Sequence, residues 1–245
     1  MKQCIYFLGF ISLSIVLLSS CNGNVLKGEG KNISSTLTVP PFTAIDISVM
    51  SKAIITIKPG AQPVVVISGF ENHVKHIKSR TQNSKLSIYS DLDESWSFGS
   101  NHHNLLKITV PSLESLNLNG ITDADIYGNL SGKDFKLDIS GAGKVLIENI
   151  NVTDFSTVVS GTATIDVKGG TVHSANYQVN GAVKINAFPL QTSELITSIS
   201  GTANAELTAL QKLSVDINGN GKIKYKGHPA LTQQISGAGT ITDAN

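Results

Sequence analysis

Between Leu116 and Ile241 apolar and polar residues alternate in short runs, as in Leu116-Asn117-Leu118 and Val215-Asp216-Ile217. A period of two places one side of an extended chain in a core and the other in water, so these runs predict strands. Helical periodicity is missing, and the abundance of Val, Ile, Thr and Gly works against helices. The alternation is punctuated seven times by an apolar residue, then Asn or Ser, then Gly, at Gly120, Gly141, Gly161, Gly181, Gly201, Gly219 and Gly237. The intervals are 21, 20, 20, 20, 18 and 18 residues. Four residues past each glycine stands Ala124, Val145, Ile165, Ile185, Ala205, Ile223 or Ile241, a column of small or branched apolar side chains.

Hairpins would need turn pairs at shorter intervals. One such step per twenty residues instead reads as one full coil of a solenoid, with successive coils stacked in parallel about 4.8 Å apart. At each corner, Asn119, Ser140, Ser160, Asn180, Ser200, Asn218 and Ser236 are expected to form a structural side-chain ladder. Glycine is expected there for its access to positive φ. Upstream, residues 42–49, 53–58, 64–68, 85–90 and 105–110 continue the strand pattern without the glycine signature, as capping coils do. Roughly twenty residues per coil predicts on the order of ten coils in residues 42–245, a rod of about 50 Å. No cap is visible at the C-terminal end. The last coil is therefore expected to be polar or covered, with a homo-oligomer through that uncapped coil as one way of covering it.

The N-terminal residues follow a different pattern. Lys2 precedes an apolar run from Ile5 to Leu18, followed by Leu18-Ser19-Ser20-Cys21. Fourteen residues at about 1.5 Å each fall short of the roughly 30 Å bilayer core, so the run reads as an export signal. The Leu-Ser-Ser-Cys step resembles the bacterial lipobox, which implies cleavage before Cys21 and lipid attachment to it. Several acyl chains would hold the protein firmly to a membrane. Asn22 in place of an aspartate favours an outer-membrane address, facing either the periplasm or the surface. The resulting plan is a signal peptide at 1–20, a lipidated N-terminus and flexible tether at 21–41, and a β-helix domain at 42–245. That domain divides into irregular coils at 42–115 and regular coils at 116–245. The tether is rich in Gly, Asn, Ser, Thr and Lys, has room for a short strand at Ser35 to Val39, and stops at Pro40-Pro41.

The charge is balanced, with 19 Lys and Arg against 18 Asp and Glu. Removal of Lys2 with the signal leaves the chain neutral, so nucleic-acid binding has no electrostatic basis. Of the two cysteines, Cys4 and Cys21, only the anchor remains, and no internal disulfide can form.

The repeated Asn/Ser-Gly corner, Phe42-Thr43-Ala44-Ile45, Leu86-Ser87-Ile88 and the lipobox together resemble the auto-transporter adhesin head GIN domain family over residue 42 to the C-terminus. Its members are mostly lipoproteins of Bacteroidetes-type bacteria. The resemblance implies an all-β fold, a single-stranded right-handed parallel β-helix, and supplies no catalytic residues.

Right-handed β-helices also carry polysaccharide-degrading enzymes, so paired carboxylates matter. The outward column gives Asp125, Leu146, Asp166, Asn186, Glu206 and Lys224, placing acids at isolated or alternate coils. That is a solvated face, and no catalytic residue is assigned. His73 and His76 would align only on a helical turn, and no Cys or carboxylate cluster completes a metal site. Neither metal nor cofactor is expected. The departure from strand rhythm is Asp91 to Asn104, where Trp96, Phe98, His102 and His103 are candidate ligand contacts. A second candidate surface is the column Lys144, Thr164, Lys184, Asn204 and Lys222, suited to a long repetitive ligand. The leading expectation is a non-catalytic, lipid-anchored envelope protein of adhesin type that binds a glycan or protein. An envelope scaffold stands second and a polysaccharide-degrading enzyme third.

Overall fold

A computed structural model describes residues 25–92, 95–97 and 104–245. The chain forms a parallel β-solenoid, about 75% strand, of about six turns with coils of about twenty residues. Four successive coils have three walls each, and the layers before and after them continue the first two. Ahead of the Asn/Ser-Gly corner lies the first wall: Ala44–Ile47, Ser115–Leu118, then residues 136–139, 156–159, 176–179, 196–199, 214–217 and 232–235, all paired in parallel register. The second wall follows the corner, with Ser51–Ile57 and then residues 122–127, 142–147, 162–167, 182–187, 202–208, 220–226 and 238–243. The third wall returns the chain through residues 129–135, 149–155, 170–175 and 190–195.

The period of two directs alternate side chains into one continuous core. The column four residues past each glycine is buried from Ala124 to Ile223, and Ile241 in the last coil is partly covered. An aromatic column fills the junction of the third and first walls. Phe135 stacks on Phe155 at 5.8 Å, and Phe155 meets Tyr177 edge-on at 5.7 Å.

The corners differ from expectation in two ways. The polar residues at 140, 160, 180, 200, 218 and 236 are exposed, and their coil-to-coil bonds are made by the backbone. Ser160 N–H donates to Ile139 O and Asn180 N–H to Val159 O, both at 2.8 Å. Among the described ladder residues, Asn119 and Asn218 donate side-chain bonds, and both reach aspartates, Asp46 and Asp216, rather than a corner neighbour. The second difference concerns the glycines. Of the seven at the corners, Gly120 alone has positive φ, at +113°. From Gly141 onward the corner backbones lie so close that a Cβ would come within 3.0 Å of the preceding corner glycine's carbonyl oxygen. Coil spacing, rather than φ, demands glycine there.

The N-terminal part does not add further coils. Lys85–Ser90 and Asn104–Val110 stack outside Ala44–Ile47 and Ser51–Ile57, so the chain passes back across an earlier layer before entering Ser115–Leu118. Val64–Phe70 then lies antiparallel against Asn104–Val110, and Ile77–Gln82 antiparallel against Lys85–Ser90 through a tight turn at Asn83 and Ser84, both with positive φ. The strands within residues 64–90 are thereby spent on closing the N-terminal end, which is why about six turns form instead of ten. Within the stretch expected to be a flexible tether, residues 25–38 carry two strands. Val25–Lys27 pairs with Ser95–Ser97, and Asn32–Thr38 runs antiparallel along Val64–Phe70. The free edge of that valine-rich strand needs a backbone partner, and Asn32–Thr38 supplies it.

At the C-terminal end Ala230–Ile235 is exposed along its whole length, with Leu231 and Ile235 at 38% and 40%. Thr232, Gln233 and Gln234 make this end largely polar.

Candidate functional site

The outward side of the second wall carries two columns of polar side chains. Lys52 aligns with Asp123, whose carboxylate accepts a bond from the Lys144 backbone N–H in the next coil at 2.7 Å. Lys144 aligns with Thr164, then Lys184, Asn204, Lys222 and Thr240. Beside it runs Ile54, Asp125, Leu146, Asp166, Asn186, Glu206, Lys224 and Thr242. Both columns were legible in the repeat, because a shared phase in every coil dictates a shared position on the surface.

Three acids of this wall are paired with lysines. Lys52 pairs with Asp125. Asp166 accepts a bond from the Asn186 side-chain amide and pairs with Lys144 at 3.3 Å. Burial works against the charge of Asp166. The bonds from Asn186 and Lys144, with the charges of Lys168 and Lys144, outweigh that and hold its carboxyl below the usual carboxylate range. Lys224 meets Glu206 at 3.4 Å. Among the described residues no carboxylate lies within salt-bridge distance of Lys184 or Lys222, and both are exposed. The C-terminal half of the wall is therefore cationic on a chain that is nearly neutral as a whole. Lys184, Asn186, Asn204, Glu206, Lys222 and Lys224 enclose a shallow hollow of about 400 Å³ with Ala205 in its lining. Beyond it the Lys226 ammonium sits 4.9 Å from the Phe188 ring centre.

Other candidates fall elsewhere. Phe98, His102, His103 and Cys21 lie outside the described residues, as does the side chain of Trp96, whose backbone pairs with Leu26. His73 lies within a short helix, Glu71–Val74, and His76 just beyond its end, and their rings serve different partners. His73 is buried with Nε2 3.2 Å from Leu26 O, and burial lowers its pKa. His76 Nδ1 pairs with Asp91 at 2.8 Å. Among the described residues no group of three His, Cys, Asp or Glu side chains is placed to hold a metal. No described helix is long and apolar enough to cross a membrane.

A side-chain amide ladder does exist, at the junction of the second and third walls. Asn149 and Asn151 both donate to Asn129 Oδ1, at 2.9 and 2.6 Å, and Thr171 N–H donates to Asn151 Oδ1 at 3.1 Å. The spacing of these asparagines by about one repeat was the available signal, masked by the stronger glycine period.

No curated protein matches the chain. Among solved structures it resembles a "putative adhesin" from Bacteroides fragilis at a TM-score of 0.83 and 22% identity, covering 89% of this chain and all of that one. A "putative adhesin" from Parabacteroides merdae matches at 0.69 and 19%, covering 91% of this chain and all of that one. A "putative lipid binding protein" from Parabacteroides distasonis matches at 0.69 and 18%, with the same shares covered. At these identities the likeness is one of fold. The model of the family described as "Putative auto-transporter adhesin, head GIN domain" matches residues 41–229, and to this family the chain belongs.

Proposed function

We propose that the protein is a lipid-anchored component of the bacterial cell envelope, held in the outer membrane through Cys21, that binds a glycan or protein ligand without transforming it. The adhesin-type family supports an envelope or surface setting. The observation that carries the binding role is the second wall, whose outward Lys, Thr and Asn side chains recur in fixed register along a parallel ladder. Backbone hydrogen bonds hold each coil to the next, so the spacing of these positions is set before any ligand arrives and the ordering cost on binding falls on the side chains alone. The acids of that wall are engaged with lysines or amides, an arrangement suited to holding charge rather than to moving protons.

Two measurements test this reading. Cys21→Ser should shift the chain from the membrane fraction to the soluble fraction and abolish labelling by radioactive fatty acid; unchanged partitioning would refute the anchor. Purified chain should bind envelope or host-surface material saturably without releasing reducing ends. Steady release of reducing ends would replace the binding role with a hydrolytic one.

A further inference from the structure

From Lys144 onward, cations and neutral hydrogen-bonding groups alternate layer by layer along the outward column of the second wall. Lys144 is followed by Thr164, Lys184 by Asn204 and Lys222 by Thr240. Lys52 occupies the same column two layers before Lys144, with Asp123 between them. One coil advances about 4.8 Å, so successive lysines recur about every 10 Å. We propose that this wall is a track for a linear acidic polysaccharide in which a uronate alternates with a neutral sugar.

The match rests on both period and chemistry. A pyranose residue in an extended chain advances by about the spacing of one coil, so a disaccharide spans two coils, or about 10 Å. Carboxylates then meet Lys144, Lys184 and Lys222, while the hydroxyl or acetamido groups of the intervening sugars meet Thr164 and Asn204. Lys184 and Lys222 have no carboxylate of the chain within salt-bridge distance among the described residues, whereas Lys52 and Lys144 are held by Asp125 and Asp166. The strongest purchase therefore lies in the C-terminal half, where the hollow lined by Lys184, Asn204 and Lys222, with a Glu206 carboxylate already engaged by Lys224, has room for a sugar ring. Unpatterned anionic surfaces gain nothing from the alternation. A fluid lipid headgroup layer has no fixed repeat along one direction, and in the two outward columns Ile54 and Leu146 are the large apolar side chains among the described residues. This inference rests on the binding role proposed above and names its ligand class.

The test measures binding of the full chain in detergent to hyaluronan oligosaccharides, which alternate uronate and N-acetylhexosamine. Polygalacturonate, dextran and phosphatidylglycerol vesicles serve as comparison probes. Hyaluronan affinity should rise with length up to about three disaccharides, the reach of Lys144, Lys184 and Lys222 at about 10 Å each, and fall with added salt. Lys184→Gln with Lys222→Gln should weaken it at least tenfold. Lys58→Gln with Lys133→Gln, which lie off the column, should leave it within twofold. All four side chains are exposed, and matched thermal melts establish that each variant is folded. Asn204→Leu should weaken hyaluronan more than polygalacturonate. Hyaluronan binding no better than dextran overturns the inference, as does insensitivity to the Lys184 and Lys222 changes. Equal binding of polygalacturonate or vesicles at matched negative charge also overturns it, because it shows unpatterned attraction. A chain that ignores every acidic polysaccharide yet still binds envelope material leaves the binding role standing and removes only this ligand class; a chain that binds neither removes both.

Discussion

Replacing Gly201 by alanine adds one methyl group at a corner and changes nothing else. The new Cβ would lie within 3.0 Å of the O, C and N atoms of Gly181 in the preceding coil, all of them backbone. No side chain can swing aside, so the coils must part. The bond from Thr202 N–H to Gly181 O is 2.8 Å long, as is that from Ser200 N–H to Val179 O on the other side of the corner. A separation of about 1 Å takes such a bond beyond useful geometry. Losing one or two of them costs about 1 kcal/mol each, and forcing a methyl into a filled space about 1–3 kcal/mol. The expected destabilisation is about 2–4 kcal/mol. Gly120→Ala provides the contrast. Its backbone has φ of +113°, but nothing lies within 4 Å of the point where a Cβ would stand, so it should lose only about 1–2 kcal/mol through strain. Urea midpoints measured at constant m-value distinguish the two. Gly201→Ala within about 0.5 kcal/mol of the parent would refute close coil contact as the reason for glycine at the corner, since surface changes ordinarily fall in that range.

Three further outcomes follow from the core and the second wall. Among the described residues the buried Tyr177 hydroxyl has no hydrogen-bond partner, and burial pushes its pKa upward; Tyr177→Phe should raise the melting temperature by relieving about 1 kcal/mol, and a lower melting temperature would reveal a bond to that hydroxyl. Phe155 packs between Phe135 and Tyr177, so Phe155→Ala should cost about 3–5 kcal/mol and Phe155→Leu well under half of that, with equal costs arguing against the stack. The Asp166 carboxyl is held below the usual range in the folded chain, so its stabilisation is complete above the unfolded value of about 3.9 and is lost as pH falls through the lower folded value. Asp166→Asn should therefore be less stable than the parent at pH 7 by about 1–2 kcal/mol, and the gap should close in acid; a gap that persists at about pH 2 would place the effect in packing instead of charge.

The regular coils were legible because their cause is local and repeats. One residue in two faces the core, one step in twenty turns the corner, and both leave marks at fixed intervals, so Val145, Ile165 and Ile185 could be placed in one column from sequence alone. Corner chemistry was legible only in part. Asn or Ser before glycine marks the corner correctly, yet spacing cannot reveal whether side chains or backbone make the bonds, nor whether glycine is needed for φ or for proximity. The N-terminal end was opaque for a different reason. Residues 44–57, 85–110 and 115–118 all contain strands of the same alternating type, and nothing in alternation records that the second segment stacks outside the first. Likewise Val64–Phe70 has the composition of a coil strand, and only the pairing partner decides that it runs antiparallel.

The same distinction separates structure from function on the second wall. Positions that every coil must fill in the same way, such as the corner glycines and the column from Val145 to Ile223, are explained by stacking and carry no information about a ligand. Functional signal lies in positions that share the phase of the repeat but are free of its packing demands, since any polar residue would keep such a position soluble. The column through Lys144, Thr164, Lys184, Asn204 and Lys222 meets that condition: its side chains point to solvent and the coil closes without them. Stability alone would favour pairing each lysine with an acid in the adjacent layer, as Asp166 does for Lys144. Leaving Lys184 and Lys222 two layers apart with an amide between them gives up that pairing and keeps two cations at a fixed distance, available to a partner from outside the chain.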